Sequence, residues 1–256
     1  MTDLIHFEHP LNERIRTFLR LEHLFLQVDH FRPLSDSWSN RAAIQGLLSI
    51  ISIFSRSDLK TEILKELERH ISNLERVRRQ PGVDIQALGQ VLDDLEQAIH
   101  QVYRMDGQVA RELRNNEFLT TIMQRSSIPG GGCNFDLPQY HYWLNQSHEI
   151  RQRQMDAWMD ELNPVREAVV LLLNLVRNSN LPTQEKAGQG FFQKTLESSA
   201  PVQMIRVGLP RNATIFTEIS GNKHRFNIRF LEAVETTGKP IQTTRDVDFQ
   251  LTACIF

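Results

Sequence analysis

The residues most suited to binding chemistry lie in one predicted strand near the C-terminus. Apolar Phe226, Ile228 and Phe230 alternate there with polar residues, and Arg225 and Arg229 occupy two of the polar positions. Because successive side chains of a strand point to opposite faces, the pattern predicts one buried apolar face and one cationic face. A cationic face can bind carboxylates through the planar guanidinium fork. It can equally be a solvated face whose charges keep a sheet from aggregating.

The chain is nearly neutral overall, so only a local basic surface could attract an acidic partner. The chain has 256 residues, 29 basic and 31 acidic side chains, and a formal net charge of −2. Arginine outnumbers lysine 23 to 6, which genomic composition explains as well as function does. Arg206 lies in a second alternating segment, and Lys223 and His224 precede Arg225, so several strands could contribute to one basic patch.

Nucleic acid is an alternative partner for an arginine-rich face. The near-neutral total charge argues against it, as does the absence of a recognisable HTH, RRM or zinc motif. We therefore expect a protein partner with carboxylates and no nucleic acid.

Catalytic and metal-binding chemistry has little support. Cys133, His141 and His148 are the candidate metal ligands, but neither HExxH nor paired CxxC occurs in the chain. The glycine loop at residues 129–132 lacks the lysine and Ser/Thr of a phosphate-binding loop and is interpreted as a crossover between helices. No residue lies in a GxSxG nucleophile motif. We expect no cofactor, no metal and no catalytic residue; an enzyme that uses Cys133 or His141 is the lesser alternative.

The cysteines and the N-terminus indicate the compartment. Cys133 and Cys254 are far apart in sequence and lack redox-motif spacing, which fits free thiols in a reducing compartment. The N-terminal residues carry charges where a signal peptide needs an apolar centre, and no apolar run reaches bilayer-spanning length. We expect a cytoplasmic protein with no membrane partner.

Hydrophobic spacing predicts an α+β fold, with a helical bundle domain at residues 10–178 and an antiparallel β-sheet domain at residues 188–256. Residues 58–79 read as a long amphipathic helix, with Asp58 as its N-cap, that is either a bundle helix or a dimer seam. Polar residues 179–187, which include a proline, are predicted to be a linker. Residues 1–9 are extended in pattern and are a candidate additional strand of the sheet.

Several segments resemble the ZapD family of bacterial cell-division proteins. They are FEHPLNERIRTFLRLE at residues 7–22, TEILKELER at 61–69, PGVD at 81–84, SIPGGGCNFDLP at 127–138, LNP at 162–164 and SGNKHRFNIRF at 220–230. These segments follow the order of the family and extend over nearly the whole chain. The resemblance therefore does not rest on one short motif.

The resemblance implies a non-enzymatic homodimer with a helical domain and a smaller β domain. Such a protein binds the C-terminal tail of the tubulin-like division protein FtsZ, and it cross-links or bundles FtsZ protofilaments to stabilise the Z ring at midcell. The family's tail groove is lined by basic residues of both domains. The matching positions here are Arg20, Arg56, His141, Arg225 and Arg229, and Arg125 and Lys223 are neighbouring candidates. Glu117 departs from the pattern, because close relatives are expected to carry an arginine there.

Overall fold

The computed structural model describes residues 3–55, 58–105, 107–197, 201–232 and 238–255. Within these ranges one strand precedes a series of helices, and antiparallel strands follow. The helices are α1 (Glu13–Phe31), α2 (Ser37–Phe54), α3 (Leu59–Val77), α4 (Ile85–Arg104), α5 (Arg111–Asn115), α6 (Glu117–Ser126), α7 (Pro138–Leu144), α8 (His148–Asp160) and α9 (Asn163–Arg177). The strands are β1 (Leu4–Pro10), β2 (Thr183–Ala187), β3 (Phe191–Thr195), β4 (Val202–Pro210), β5 (Ile215–Gly221), β6 (Arg225–Glu232), β7 (Ile241–Gln242) and β8 (Val247–Ile255). The predicted α+β fold is confirmed.

Short polar side chains fix where several helices begin. The carboxylates of Asp36, Asp58 and Asp84 accept hydrogen bonds from backbone N–H groups in the first turns of α2, α3 and α4. Asn116 does the same for α6 through the N–H of Leu119. These bonds satisfy donors that have no partner inside the helix, so the N-cap predicted at Asp58 is confirmed.

The chain divides into two compact units, of which one comprises Leu19–Leu172 and contains most of α1, most of α9 and the helices between them. Aromatic rings join α6, α7 and α8 there, with the Phe118 ring 5.8 Å from Trp143 and 5.9 Å from Trp158. Half-buried ion pairs add to this packing, since Asp29 of α1 binds Arg166 of α9 at 2.6 Å. Burial of rings and aliphatic side chains therefore sets the positions of these helices.

The other unit comprises Met1–Phe18 and Leu173–Phe256 and contains two packed antiparallel sheets. The first sheet has the strand order β1-β4-β8-β2, and the second has the order β3-β6-β5 with β7 paired to β6. Phe226, Ile228 and Phe230 of β6 pack into the core that they share with Phe249 and Leu251 of β8. The N-terminal segment joins the first sheet, because β1 pairs with β4 along its whole length.

One segment differs from its predicted role. Residues 179–187 were expected to be a linker, yet β2 occupies the second half of this segment and pairs with β8 from Thr183 to Ala187. The strand lies at the edge of its sheet, and Ala187 is its one buried side chain. A strand with a single small inward residue produces almost no alternating pattern, so the sequence gives little sign of it.

Candidate peptide-binding surfaces

The outer face of β6 carries the arginines that the alternating pattern predicts. β6 lies between β3 and β5, and Phe226, Ile228 and Phe230 are fully buried on its inner side. Arg225 and Arg229 are exposed on its outer side. Four residues along a strand separate them by about 13 Å. The strand therefore holds two guanidinium groups on one rigid surface.

A compact turn positions the start of this face. Asn222 connects β5 to β6, and its side-chain oxygen accepts hydrogen bonds from the N–H groups of His224 and Arg225 at 2.9 and 3.2 Å. Its own N–H donates to the carbonyl of Arg225 at 2.9 Å. Such Asx geometry substitutes for regular turn bonds. It places Lys223, which is exposed, two residues before Arg225.

The cations of this hairpin differ in their internal partners. Arg229 lies across the ladder from Glu218, with Nη1 3.6 Å from Oε2, and its Nε donates to Gln242 Oε1 at 3.3 Å. Within the part of the chain that the structure describes, Arg225 and Lys223 have no ion pair and no side-chain hydrogen bond. Arg225 is thus the arginine of this face that is most available to an external carboxylate.

An exposed aromatic side chain lies beside these arginines. Phe191 of β3 is opposite Arg229 in the ladder and is 41% exposed, while Thr195 is opposite Arg225. Residues that are directly opposite in antiparallel strands share a face. The surface therefore combines positive charge with apolar area, which suits a peptide that has both acidic and apolar side chains.

Arg206 does not belong to this surface, and its suggested contribution to the patch is wrong. It lies on β4 of the other sheet, with Nε 3.2 Å from Glu8 Oε1. Glu8 also accepts a two-point contact from Arg177 at 2.9 and 2.8 Å. These side chains are only 18–27% exposed. Both guanidinium groups are paired with Glu8 inside the unit, which the alternating pattern of β4 could not reveal.

The predicted cations of the helical unit lie on three different helices. Arg20 on α1, Arg125 on α6 and His141 on α7 are all exposed. Within the described residues none of these side chains has an ion pair or a hydrogen bond, and nothing of that kind joins one to another. Arg56 lies outside the described residues. The groove that would combine these cations with the hairpin stays a prediction.

A pocket of about 200 Å³ adjoins the glycine loop in the helical unit. Arg41 of α2 lines it, and its Nη1 donates to the carbonyl of Gly132 at 3.0 Å. The guanidinium carbon is 5.5 Å from the Trp38 ring centre and 5.0 Å from that of Tyr140. Burial raises the pKa of the Tyr140 phenol to about 12, with Arg41 opposing the shift, so the phenol stays protonated. Arg41 therefore attaches the loop to two helices.

The candidate metal ligands do not form a site in the described ranges, where no three His, Cys, Asp or Glu side chains are grouped to hold an ion. Cys133 is exposed and Cys254 is buried. Burial and the nearby carboxylate of Glu8 raise the pKa of the Cys254 thiol to about 12, so it is protonated and unreactive near neutral pH. In the same ranges no helix is long and apolar enough to cross a bilayer.

Comparison with known proteins identifies the family. The family model ZapD, described as a cell division protein, matches residues 19–229. The chain is 41% identical over 255 residues to the cell division protein ZapD of Methylococcus capsulatus, with all of both chains covered. The protein of the same name from Chromobacterium violaceum is 40% identical over 253 residues, covering 99% of this chain and 100% of that relative. The chain belongs to the ZapD family. It is therefore a cell-division protein.

The acidic residue that departs from the ZapD pattern has a local structural role. Glu117 is the first residue of α6, directly after the N-cap Asn116. A carboxylate at this position interacts favourably with the positive end of the helix dipole. Glu117 therefore stabilises the start of α6, and its carboxylate does not supply the positive charge of the arginine expected at this position.

Arg41 is the residue that sequence reasoning missed. It contacts Gly132 across 91 residues of sequence, so no local spacing connects the two. The one available sign was an arginine three residues after an aromatic residue, Trp38, in the first turns of α2. In this ZapD-family protein the glycine loop is thus more than a crossover, because an arginine from a distant helix holds it.

Proposed function

We propose that this ZapD-family protein is a non-enzymatic cell-division factor that binds the C-terminal tail of FtsZ. As a homodimer in the cytoplasm it cross-links or bundles FtsZ protofilaments and thereby stabilises the Z ring at midcell during septation. The observation that carries the proposal is Arg225, an exposed guanidinium on a rigid strand without an internal carboxylate among the described residues. Family membership supports the role in division.

Binding begins with electrostatic capture. A flexible acidic tail is attracted by Arg225 and Lys223, and Arg229 becomes available when a tail carboxylate replaces Glu218. Charge-assisted hydrogen bonds to arginine contribute roughly 1.5–3 kcal/mol each where water is excluded, and less on an open surface. Phe191 offers an apolar contact next to them. A disordered tail loses chain entropy when it is ordered, so the affinity of one site is modest.

Bundling follows from valency. A homodimer presents two equivalent surfaces, and a filament presents many tails, so the second contact occurs at high effective concentration. Arg20, Arg125 and His141 are the candidates by which the helical unit adds charge to each tail site. The dimer thereby converts modest single-site affinity into stable cross-links between filaments.

A titration with a labelled FtsZ tail peptide tests the proposal. It is performed at about 50 and about 300 mM salt, and light scattering gives the mass of the protein and its complex. We expect a dimer mass, one tail per protomer, and affinity that falls severalfold at the higher salt because the contacts are ionic. A DNA duplex of equal charge serves as the rival ligand. If the duplex binds and the tail does not, the proposal is wrong.

A further inference from the structure

The glycine-loop pocket has a cationic wall and no acidic one. Arg41 lines it, and none of the other lining residues is an aspartate or glutamate. In the described ranges Arg41 has no ion-pair partner at all. Among the described residues its guanidinium contacts the faces of the Trp38 and Tyr140 rings and the carbonyl of Gly132. An arginine that is held in place without a carboxylate partner is available to bind one.

Several hydrogen-bond donors of the residues at this pocket have no acceptor among the described residues. Arg41 donates through Nη1 to Gly132, and its remaining N–H groups make no hydrogen bond with the described residues. Gly130 and Gly132 line the same pocket, and their backbone N–H groups likewise donate to none of the described residues. The conformation of this loop requires glycine. Gly130 has φ +75°, and a Cβ at Gly131 would lie 2.2 Å from the carbonyl oxygen of Arg125.

Size and lining restrict the class of ligand. The volume of about 200 Å³ is below the roughly 300–1,000 Å³ of small-molecule pockets, so it fits a side chain better than a metabolite. Ile44, Ile122 and Ile128 supply aliphatic walls. A single guanidinium balances one negative charge, and aliphatic walls suit the methylene groups of a side chain. A phosphate dianion would bring a charge that no second cation in the lining compensates.

We propose that the pocket formed by Arg41, Gly130 and Gly132 binds the carboxylate of an aspartate or glutamate side chain from an acidic peptide. In assigning that peptide to the FtsZ tail, the inference rests on the proposed function. The exposed Arg125 and His141, each adjacent in sequence to a lining residue, add positive charge to this part of the helical unit. The pocket gives an FtsZ tail a defined anchor on the helical unit.

Gln45→Glu is the decisive variant. Gln45 lines the pocket, is exposed, and is four residues after Arg41 on α2, where a glutamate can pair with the same guanidinium. The new carboxylate would occupy the ligand's position without removing any packing. Gln97→Glu makes the same change at an exposed position of α4 and is the matched control. Arg41→Lys keeps the charge but loses the planar fork.

The first measurement is the affinity of the labelled FtsZ tail peptide for the full-length variants. We expect Gln45→Glu to weaken binding at least about fivefold and Gln97→Glu to change it less than twofold, with melting temperatures unchanged. Arg41→Lys should weaken binding to a similar extent. If wild type binds the tail and Gln45→Glu binds it equally well, the pocket assignment is wrong while the proposed function stands.

The second measurement decides the inference even when the tail does not bind. Amide resonances of Gly130 and Gly132 in the full chain are followed during titration with sodium acetate, with sodium chloride at equal ionic strength as the control. We expect saturable shifts with acetate that Gln45→Glu abolishes. Absence of shifts overturns the proposal, and so does inorganic phosphate that binds at the same amides more tightly than acetate.

Discussion

The arginines of the two sheets in the β-containing unit differ in whether a carboxylate pairs with them. On the first sheet Arg206 faces Glu8, which also holds Arg177, and all three side chains are largely buried. On the second sheet Arg225 has no carboxylate among the described residues, and Arg229 has only a loose contact with Glu218, at 3.6 Å with both side chains more than half exposed. The same residue type on neighbouring sheets therefore has different consequences.

The difference teaches how to separate a structural arginine from a binding one. A half-buried ion pair fixes geometry, and its loss leaves charges uncompensated at low dielectric. An exposed and unpaired arginine contributes little to stability, because its charge is already solvated. Removing the first should affect folding, and removing the second should affect binding.

The largest effect is expected from Glu8→Gln. The change leaves Arg177 and Arg206 without their shared carboxylate, and we expect the free energy of unfolding to fall by about 2 kcal/mol, less than for a fully buried pair. Urea denaturation measures it. Glu13→Gln removes the exposed pair with Arg16 and the carboxylate at the first residue of α1, and it should cost less than about 1 kcal/mol. Equal losses in the two variants would contradict the structural role of Glu8.

The next effect is on binding, through Arg225→Glu. Reversing the unpaired charge should weaken binding of the FtsZ tail at least about tenfold, equivalent to about 1.4 kcal/mol, with the free energy of unfolding changed by less than about 0.5 kcal/mol. Fluorescence anisotropy and urea denaturation provide the two numbers. Arg153→Glu, at an exposed helical position, makes the same charge change as a control. Equal affinity of the two variants would remove Arg225 from the site.

A smaller effect of opposite sign is expected from Glu218→Gln. Loss of this carboxylate frees Arg229, so tail affinity should rise about two- to threefold at low salt and return to the wild-type value at high salt. The double variant Glu218→Gln, Arg229→Gln should bind the tail no more tightly than the single variant Arg229→Gln. A gain that persists in the double variant would mean that Glu218 repels the tail directly and does not act through Arg229.

The smallest expected effect is the pH dependence of stability that two histidines of β1 produce. Burial lowers the pKa of His6 and His9 on β1, helped by Arg206 at His6 and Arg16 at His9. The unfolded chain therefore binds more protons near and below the ordinary histidine pKa of 6.5, and stability should fall as pH decreases from 7.5 to about 5.5. The double variant His6→Gln, His9→Gln should have a shallower dependence of urea midpoint on pH. An unchanged slope would remove both histidines from the explanation.

Sequence patterns predicted those features that depend on neighbouring residues. Alternation identified the buried and cationic faces of β6, and an aspartate before an amphipathic run identified the cap at Asp58. Partners from distant parts of the chain could not be predicted, because no local pattern links Glu8 to Arg206 or Arg41 to Gly132. The β2 strand was missed since its pairing with β8 comes from backbone hydrogen bonds that any polar sequence can form.

Co-sedimentation with intact and tail-truncated FtsZ polymers tests the central claim most directly. The claim is that unpaired arginines, Arg225 above all, capture the tail and that dimerisation then bundles the filaments. We expect the wild-type protein to sediment with intact polymers as bundles, and to leave truncated polymers unbundled in the supernatant at low-speed centrifugation. Truncated polymers that bundle as readily as intact ones would contradict the account.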